Sequence, residues 1–139
     1  MGCREGGVFS GWGSAGLKEE CQAFGVPPEH RAARTREYGE AMQVLWTQDQ
    51  PQFAGEGCNF VPVCLSPKPV QKPHPPIMFG GESEPALRRA VEVGNGWLGF
   101  NVPVDEAARA IARMREIATD TGREFDALDI SVGSYSKLP

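Results

Sequence analysis

No stretch of this sequence approaches the roughly 18 to 20 consecutive apolar residues that a membrane-spanning helix needs. Its first residues, Met1-Gly2-Cys3-Arg4-Glu5-Gly6-Gly7, are too polar for a secretory signal, so a cytoplasmic chain with no membrane partner is expected. Histidine is scarce, with only His30 and His74, and neither has a partner at metal-site spacing. The cysteines, Cys3, Cys21, Cys58 and Cys64, contain no Cys-x-x-Cys pair, which argues against a zinc site and against a disulfide framework. No metal is expected, and the nucleophile-elbow, Walker and zincin signatures are missing as well. Basic runs are lacking too: 14 Lys and Arg stand against 18 Asp and Glu, a net charge of −4, so nucleic acid is not an expected partner.

What is present is an ordinary composition for one domain: 139 residues, 40% hydrophobic and 23% charged. Gly7-Val8-Phe9-Ser10-Gly11 reads as the end of a buried strand. A short helix is predicted between Leu17 and Phe24, closed by Gly25 and followed by Pro27-Pro28. From Glu29 to Thr47 the residues Tyr38, Ala41, Met42, Leu45 and Trp46 recur at helical spacing and predict a longer one. Phe53 to Val61 reads as two extended pieces around a glycine turn. Five prolines between Ser66 and Pro76 rule out a helix or a central strand and predict a stiff extended connector.

Beyond the prolines the texture changes. Ile77-Met78-Phe79 predicts a strand. Ser83 is placed to cap a helix with Glu84 and Pro85 in its first turn, Ala86, Leu87, Ala90 and Val91 on its buried stripe, and Gly94 as its stop. Trp97-Leu98-Gly99-Phe100 predicts a second strand. Asp105 is placed to cap a helix that buries Ala107, Ala110, Ile111, Met114, Ile117 and Ala118 and ends at Gly122. Leu128 to Gly133 predicts a third strand. The chain thus reads as one domain: a helical and hairpin region over 1–65, a proline-rich connector over 66–76, and βαβαβ units over 77–139. The links are short enough that successive strands must be parallel neighbours, so the fold class is α/β, either a doubly wound sheet or part of an eight-stranded barrel.

In both architectures ligands gather beyond the carboxyl ends of the strands, where Gly80-Gly81-Glu82-Ser83 falls. A loop that leaves a strand and opens a helix presents amides at the positive end of the helix dipole, and glycines let an anion approach them. The same residues also suit a plain tight turn with a serine cap, and the residues alone leave both readings open. Arg88 and Arg89 read as a solvated helix face, and His30 and His74 as surface or packing residues. Trp46 and Trp97 read as core, with Trp12, Trp46 and Trp97 together aromatic enough to line a ring-shaped ligand.

Several segments together resemble the luciferase-like monooxygenase family, flavin or deazaflavin oxidoreductases built on a (β/α)8 barrel. They are Glu20-Cys21-Gln22-Ala23-Phe24-Gly25-Val26-Pro27, Arg31 through Arg34 to Glu37, Leu45-Trp46-Thr47, Phe53-Ala54-Gly55-Glu56, Pro67 through Ile77, Gly80-Gly81-Glu82-Ser83 with Ala86-Leu87-Arg88-Arg89-Ala90, and Gly94-Asn95-Gly96-Trp97. Their order follows the family from about residue 19 to residue 100. The resemblance implies a partial (β/α)8 barrel, roughly half of it, on the carboxyl side. It also implies that Gly80, Gly81, Glu82 and Ser83 help hold a cofactor phosphate.

The run Ser83-Glu84-Pro85-Ala86-Leu87-Arg88-Arg89-Ala90 resembles the deazaflavin branch, which implies coenzyme F-420, with flavin mononucleotide (FMN) as the alternative. The implied reaction is hydride transfer between the deazaflavin and a small organic substrate, and no catalytic acid or base is identified. Three departures stand out. Only about four parallel strands are offered, Gly13 to Lys18 separates Gly11-Trp12 from Glu19-Glu20, and Asn95 stands where the family usually has aspartate. Half a barrel leaves open sheet edges, so a homo-oligomer or a complementing chain is a further expected partner. The competing reading is a non-catalytic remnant or interaction module, one version of which presents Pro73-His74-Pro75-Pro76 as a polyproline ligand.

Overall fold

The computed structural model describes residues 10–13, 18–23, 25 and 29–133. In chain order these form β1 (Ser10–Trp12), α1 (Lys18–Ala23), α2 (Arg31–Thr47), β2 (Phe53–Ala54), β3 (Asn59–Phe60), β4 (Ile77–Gly80), α3 (Glu84–Glu92), β5 (Gly96–Phe100), α4 (Val104–Thr121) and β6 (Asp129–Gly133). Of the run Gly7 to Gly11, residues 7–9 lie outside the described residues, while Ser10 and Gly11 belong to β1.

One parallel sheet has the order β1-β4-β5-β6, and a two-stranded antiparallel sheet joins β2 to β3. β1 pairs directly with β4, so α1, α2 and the β2–β3 hairpin form an excursion between neighbouring strands. Parallel neighbours require such crossovers, and here α3 and α4 supply the next two.

Side-chain alternation divides the sheet into two faces. Ile77, Phe79 and Trp97 are fully buried with Leu87, Ala90 and Val91 from α3 and Met114, Ile117 and Ala118 from α4. The opposite face receives the paired residues Gly80 and Leu98. Leu98 is only half-buried, and Gly11 lies so close that a Cβ there would stand 3.6 Å from Leu98 Cδ2. The apolar stripes of α3 and α4 thus account for the core, and the glycine-rich side of the strands is left to face a cleft.

Three local expectations are corrected. α2 begins at Arg31 rather than Glu29, because His30 takes a left-handed conformation (φ 56°) at its N-cap. Its buried residues are Gly39 and Ala41, while Tyr38 is 41% exposed. Gly39 faces Phe79 so closely that a Cβ would meet Phe79 Cζ at 2.9 Å, so a glycine rather than a large apolar residue makes the closest approach. Asp105 is not a cap: Pro103 is the N-cap residue of α4, and Asp105 stands in the first turn, paired with Arg109 at 3.2 Å.

The proline connector bends rather than running straight, with cis bonds at Ser66-Pro67 and Lys72-Pro73. The Lys68 ammonium donates to the carbonyls of Leu45 and Gln48 at the end of α2, where a cation offsets the helix dipole. His74 packs against Trp46, ring centroids 5.8 Å apart, and His74 to Pro76 are half-buried, so this stretch is engaged in packing rather than displayed as a polyproline ligand. Among the described residues no helix is long and apolar enough to cross a membrane.

Candidate functional site

The ends of β1, β4 and β5 and the start of α3 enclose a cleft of about 550 Å³. It is lined by Gly11, Trp12 and Gly13 from β1 and its end, Gly80, Gly81, Glu82, Ser83 and Ala86 from β4, the loop and α3, Leu98 and Phe100 from β5, and Arg31 from α2. The structure thus brings all four loop residues together on one cavity. It also adds Arg31, Trp12, Leu98 and Phe100, which the loop motif did not include. Arg31 reads in sequence as one of several charges on α2; its position on this cleft depends on the excursion between β1 and β4, which no local pattern announces.

The two glycines answer to different physical demands. Gly81 has φ +104°, a conformation L side chains rarely adopt, and a Cβ there would lie 3.0 Å from Ala86 Cβ. Gly80 has no such dihedral, but a Cβ would stand 3.3 Å from the carbonyl of Leu98 on the neighbouring strand. The turn is held from beneath: the Trp97 indole Nε1–H donates to the Gly81 carbonyl at 2.9 Å, and Trp97 itself is fully buried.

Ser83 is the N-cap residue of α3 with extended backbone (φ −70°, ψ 151°), but its side chain makes no capping bond. Its carbonyl instead accepts from the N–H groups of Ala86 and Leu87, at 2.8 and 3.0 Å. The hydroxyl expected to cap the helix is therefore on the rim of the cleft without that duty, where it can donate to an oxyanion. Pro85, in the first turn, carries no N–H, so the amides that open onto the cleft come from the loop itself.

Charge around the loop is arranged so that one neighbouring carboxylate is neutralised. Glu84 receives Arg113 Nη2 at 2.7 Å and Arg88 Nε at 3.1 Å. The hydrogen bond from Arg113 is the main reason its carboxyl is held below the usual range, and Arg113 is correspondingly pushed up. The ionisable residues lining the cleft are Arg31 and Glu82, one of each sign. Neither is placed as a general acid or base, and among the described residues no cluster of histidine, cysteine and carboxylates could hold a metal ion. Of the other residues singled out from sequence, Arg88 is an ion-pairing surface residue, whereas Arg89 is buried, at 2% exposure, contrary to the solvated face expected for it. The amphipathic pattern misleads there because α2 covers that flank of α3.

A parallel sheet backed by helices, with a glycine loop at its carboxyl ends, defines a class of α/β barrel-type proteins that bind ligands at that end. The model of the family described as luciferase-like monooxygenase matches residues 4–136, and the chain belongs to this family. It is 35% identical over 121 residues, 85% of the chain, to an uncharacterized protein of Mycobacterium tuberculosis, and covers 40% of that protein. It is 37% identical over 109 residues to an FMNH(2)-dependent dimethylsulfone monooxygenase of Pseudomonas putida, covering 71% of this chain and 29% of the relative. Among solved structures, an F-420-dependent secondary alcohol dehydrogenase in complex with an F-420–acetone adduct superposes with a TM-score of 0.79 at 21% identity, over 93% of this chain and 40% of that one. The chain thus spans 29% to 40% of the length of these proteins, and its fold is part of a (β/α)8 barrel.

The residues present fit the phosphate end of a flavin-type cofactor. Gly80 and Gly81 present no side chain to the cleft, Ser83 offers a hydroxyl, Arg31 a positive charge, and Trp12, Leu98 and Phe100 an apolar surface, beside the one carboxylate of Glu82.

Proposed function

We propose that this chain binds coenzyme F-420 through Gly80, Gly81, Glu82 and Ser83 and serves hydride transfer between that cofactor and a small organic substrate. When bound, the deazaflavin supplies the hydride chemistry, and the protein supplies position and electrostatics. Gly80 and Gly81 let the phosphate approach the loop amides at the start of α3, where the helix dipole favours an anion. Ser83 donates its hydroxyl and Arg31 adds charge, while Glu82 takes part through its backbone with its carboxylate turned away from the phosphate. Trp12, Leu98 and Phe100 offer the ring an apolar surface.

The observation that carries this reading is the juxtaposition, on one cleft, of a glycine pair at a strand end with a helix start and an arginine. The test is a fluorescence titration of the purified chain with F-420 and with FMN. Saturable binding that weakens at least about tenfold in Gly81→Asp supports it, since a carboxylate in the anion seat adds repulsion of that order. No binding of either cofactor by folded protein would overturn it.

FMN is the second reading, favoured by the 37% identity to an FMNH(2)-dependent monooxygenase. Competition between the two cofactors in the same titration decides between them. A cytoplasmic setting accords with the free thiols of Cys21, Cys58 and Cys64. The sheet edges at β1 and β6 would be covered by a second copy or a complementing chain, which light scattering of the purified protein would detect. If neither cofactor binds, the non-catalytic remnant becomes the better account.

A further inference from the structure

Arg89 faces α2 from the middle of α3, and its side chain is almost entirely enclosed, at 2% exposure. Its Nη1 reaches the carbonyl of Ala32 only at 3.4 Å, and its guanidinium carbon lies 5.2 Å from the centre of the Phe79 ring. The remaining two nitrogens, Nε and Nη2, are buried and have no hydrogen-bond partner among the described residues. Native proteins rarely leave buried donors unmet, and a buried cation without an anion is costly.

The identity of the two unmet nitrogens is informative. Nε and Nη2 form one edge of the planar guanidinium, and their N–H bonds point side by side. That fork matches two oxygens of a carboxylate or phosphate, which is why arginine binds such groups bidentately. The Phe79 ring covers one face of the group and Ala32 satisfies another edge weakly, so the unmet hydrogen-bonding capacity lies in the fork, which is itself enclosed in this structure.

The surroundings suit an anion. Arg89 borders a groove of about 210 Å³ between α2 and α3, with Ala32, Ala33 and Pro85 as its apolar sides and Arg36 and Arg88 at its rim. Glu92 is the carboxylate of this groove, and it is shared by Arg36 Nη1 and Arg88 Nη1, at 2.5 and 3.6 Å. Arg36 and Arg88 are thus ion-paired, Arg36 also with Glu40 and Arg88 also with Glu84, whereas Arg89 has no carboxylate partner among the described residues. The Arg36 and Arg88 side chains are 45% and 42% exposed at the groove rim, and a ligand reaching the enclosed fork would require side chains at that rim to move. None of the residues bordering this groove borders the strand-end cleft.

We propose that the groove between α2 and α3 is a second, separate binding site for a small oxyanion, a phosphate or carboxylate group held bidentately by Nε and Nη2 of Arg89, with Arg36 and Arg88 at the rim. The site is independent of the cofactor reading, because it shares no residue with that cleft.

The test compares the wild-type chain with Arg89→Met and Arg89→Lys by thermal unfolding during titration with inorganic phosphate and, in a separate arm, acetate, at constant ionic strength. Arg89→Met keeps the packing volume but removes the fork; Arg89→Lys keeps the charge. The expected result is a saturable rise in the wild-type midpoint, no saturable rise in Arg89→Met, and at least about tenfold weaker binding in Arg89→Lys, which lacks the bidentate geometry. Tighter binding of phosphate than of acetate assigns a phosphate-bearing ligand, and the reverse order a carboxylate. Parallel rises in wild type and Arg89→Met would show only the general stabilising effect of such salts and overturn the proposal. The wild type alone gives a second readout, the ¹⁵N resonance of Arg89 Nε–H. Its saturable shift with phosphate or acetate supports the site, and an unmoved resonance in both overturns it.

Discussion

The indole N–H of Trp97 donates to the carbonyl oxygen of Gly81 at 2.9 Å, which ties the most enclosed aromatic residue of the core to the turn that borders the cleft. Core packing and site geometry are therefore coupled through one hydrogen bond. Trp97→Phe keeps a large apolar ring but leaves the Gly81 carbonyl without this donor. It should cost about 1 to 3 kcal/mol of stability by urea unfolding, the range for a lost buried hydrogen bond plus a small cavity. It should also weaken cofactor binding measured on the folded variant, because the turn is no longer held. An unchanged affinity would show that the turn keeps its shape without the indole.

The two adjacent glycines should respond differently to alanine. At Gly81 the dihedral (φ +104°) and the Ala86 contact at 3.0 Å act together, so Gly81→Ala should destabilise by about 1 to 3 kcal/mol. At Gly80 the new methyl meets only a strand carbonyl at 3.3 Å, so Gly80→Ala should cost less in stability while still narrowing the cleft. Urea unfolding of both variants ranks them, and the opposite order would mean that the sheet spacing, not the turn, is the stricter constraint.

These features separate what the sequence could reveal from what it could not. The strands at Ile77-Met78-Phe79 and Trp97 to Phe100 and the stripes of α3 and α4 are local patterns, and each is present in the fold. The glycine loop was legible for the same reason, since a strand, a glycine pair and a helix start are contiguous. Pairing of β1 with β4 across the α2 excursion is non-local, and with it went the position of Arg31 on the cleft. The burial of Arg89 is not legible in sequence, because a helical pattern shows which flank is apolar but not that a second helix encloses a charged one.

A chain of ion pairs runs across three helices: Glu40 and Arg36 on α2, Glu92, Arg88 and Glu84 on α3, and Arg113 and Glu116 on α4. Glu84 is the link between α3 and α4, and its carboxyl is held below its ordinary value of 4.5, chiefly by Arg113. A lowered folded-state pKa stabilises the protein above the ordinary carboxylate range and is lost as pH falls through that range toward the folded value. Glu84→Gln should therefore flatten the acid side of the stability profile below about pH 5, where the carboxylate titrates, and leave the neutral-to-basic side with the same slope. Added salt should shrink the difference between variant and wild type, because these groups are largely exposed. Urea midpoints measured from about pH 3 to 8 at two salt concentrations provide the check.

Asn95, which stands where the family resemblance implies an aspartate, has a geometry that shows what its position demands of a side chain. Its Oδ1 accepts from the backbone N–H of Ile77 at 3.0 Å. Its own N–H donates to the Ile77 carbonyl at 2.7 Å, and its carbonyl accepts from Asp129 N–H at 2.9 Å. One residue thus clamps the entrance of β4 to the start of β6, and what the position demands of the side chain is an oxygen acceptor. A carboxylate meets that demand as well as an amide does, so Asn95→Asp should change stability by no more than about 0.5 kcal/mol at neutral pH, as conservative changes that keep a hydrogen bond do. Asn95→Leu removes the acceptor and leaves the N–H of the fully buried Ile77 unmet, which should cost about 1 to 3 kcal/mol. Urea unfolding of the two variants separates acceptor chemistry from charge. Equal losses in both would show that the amide's donor group, rather than its oxygen, is what holds the strands in register.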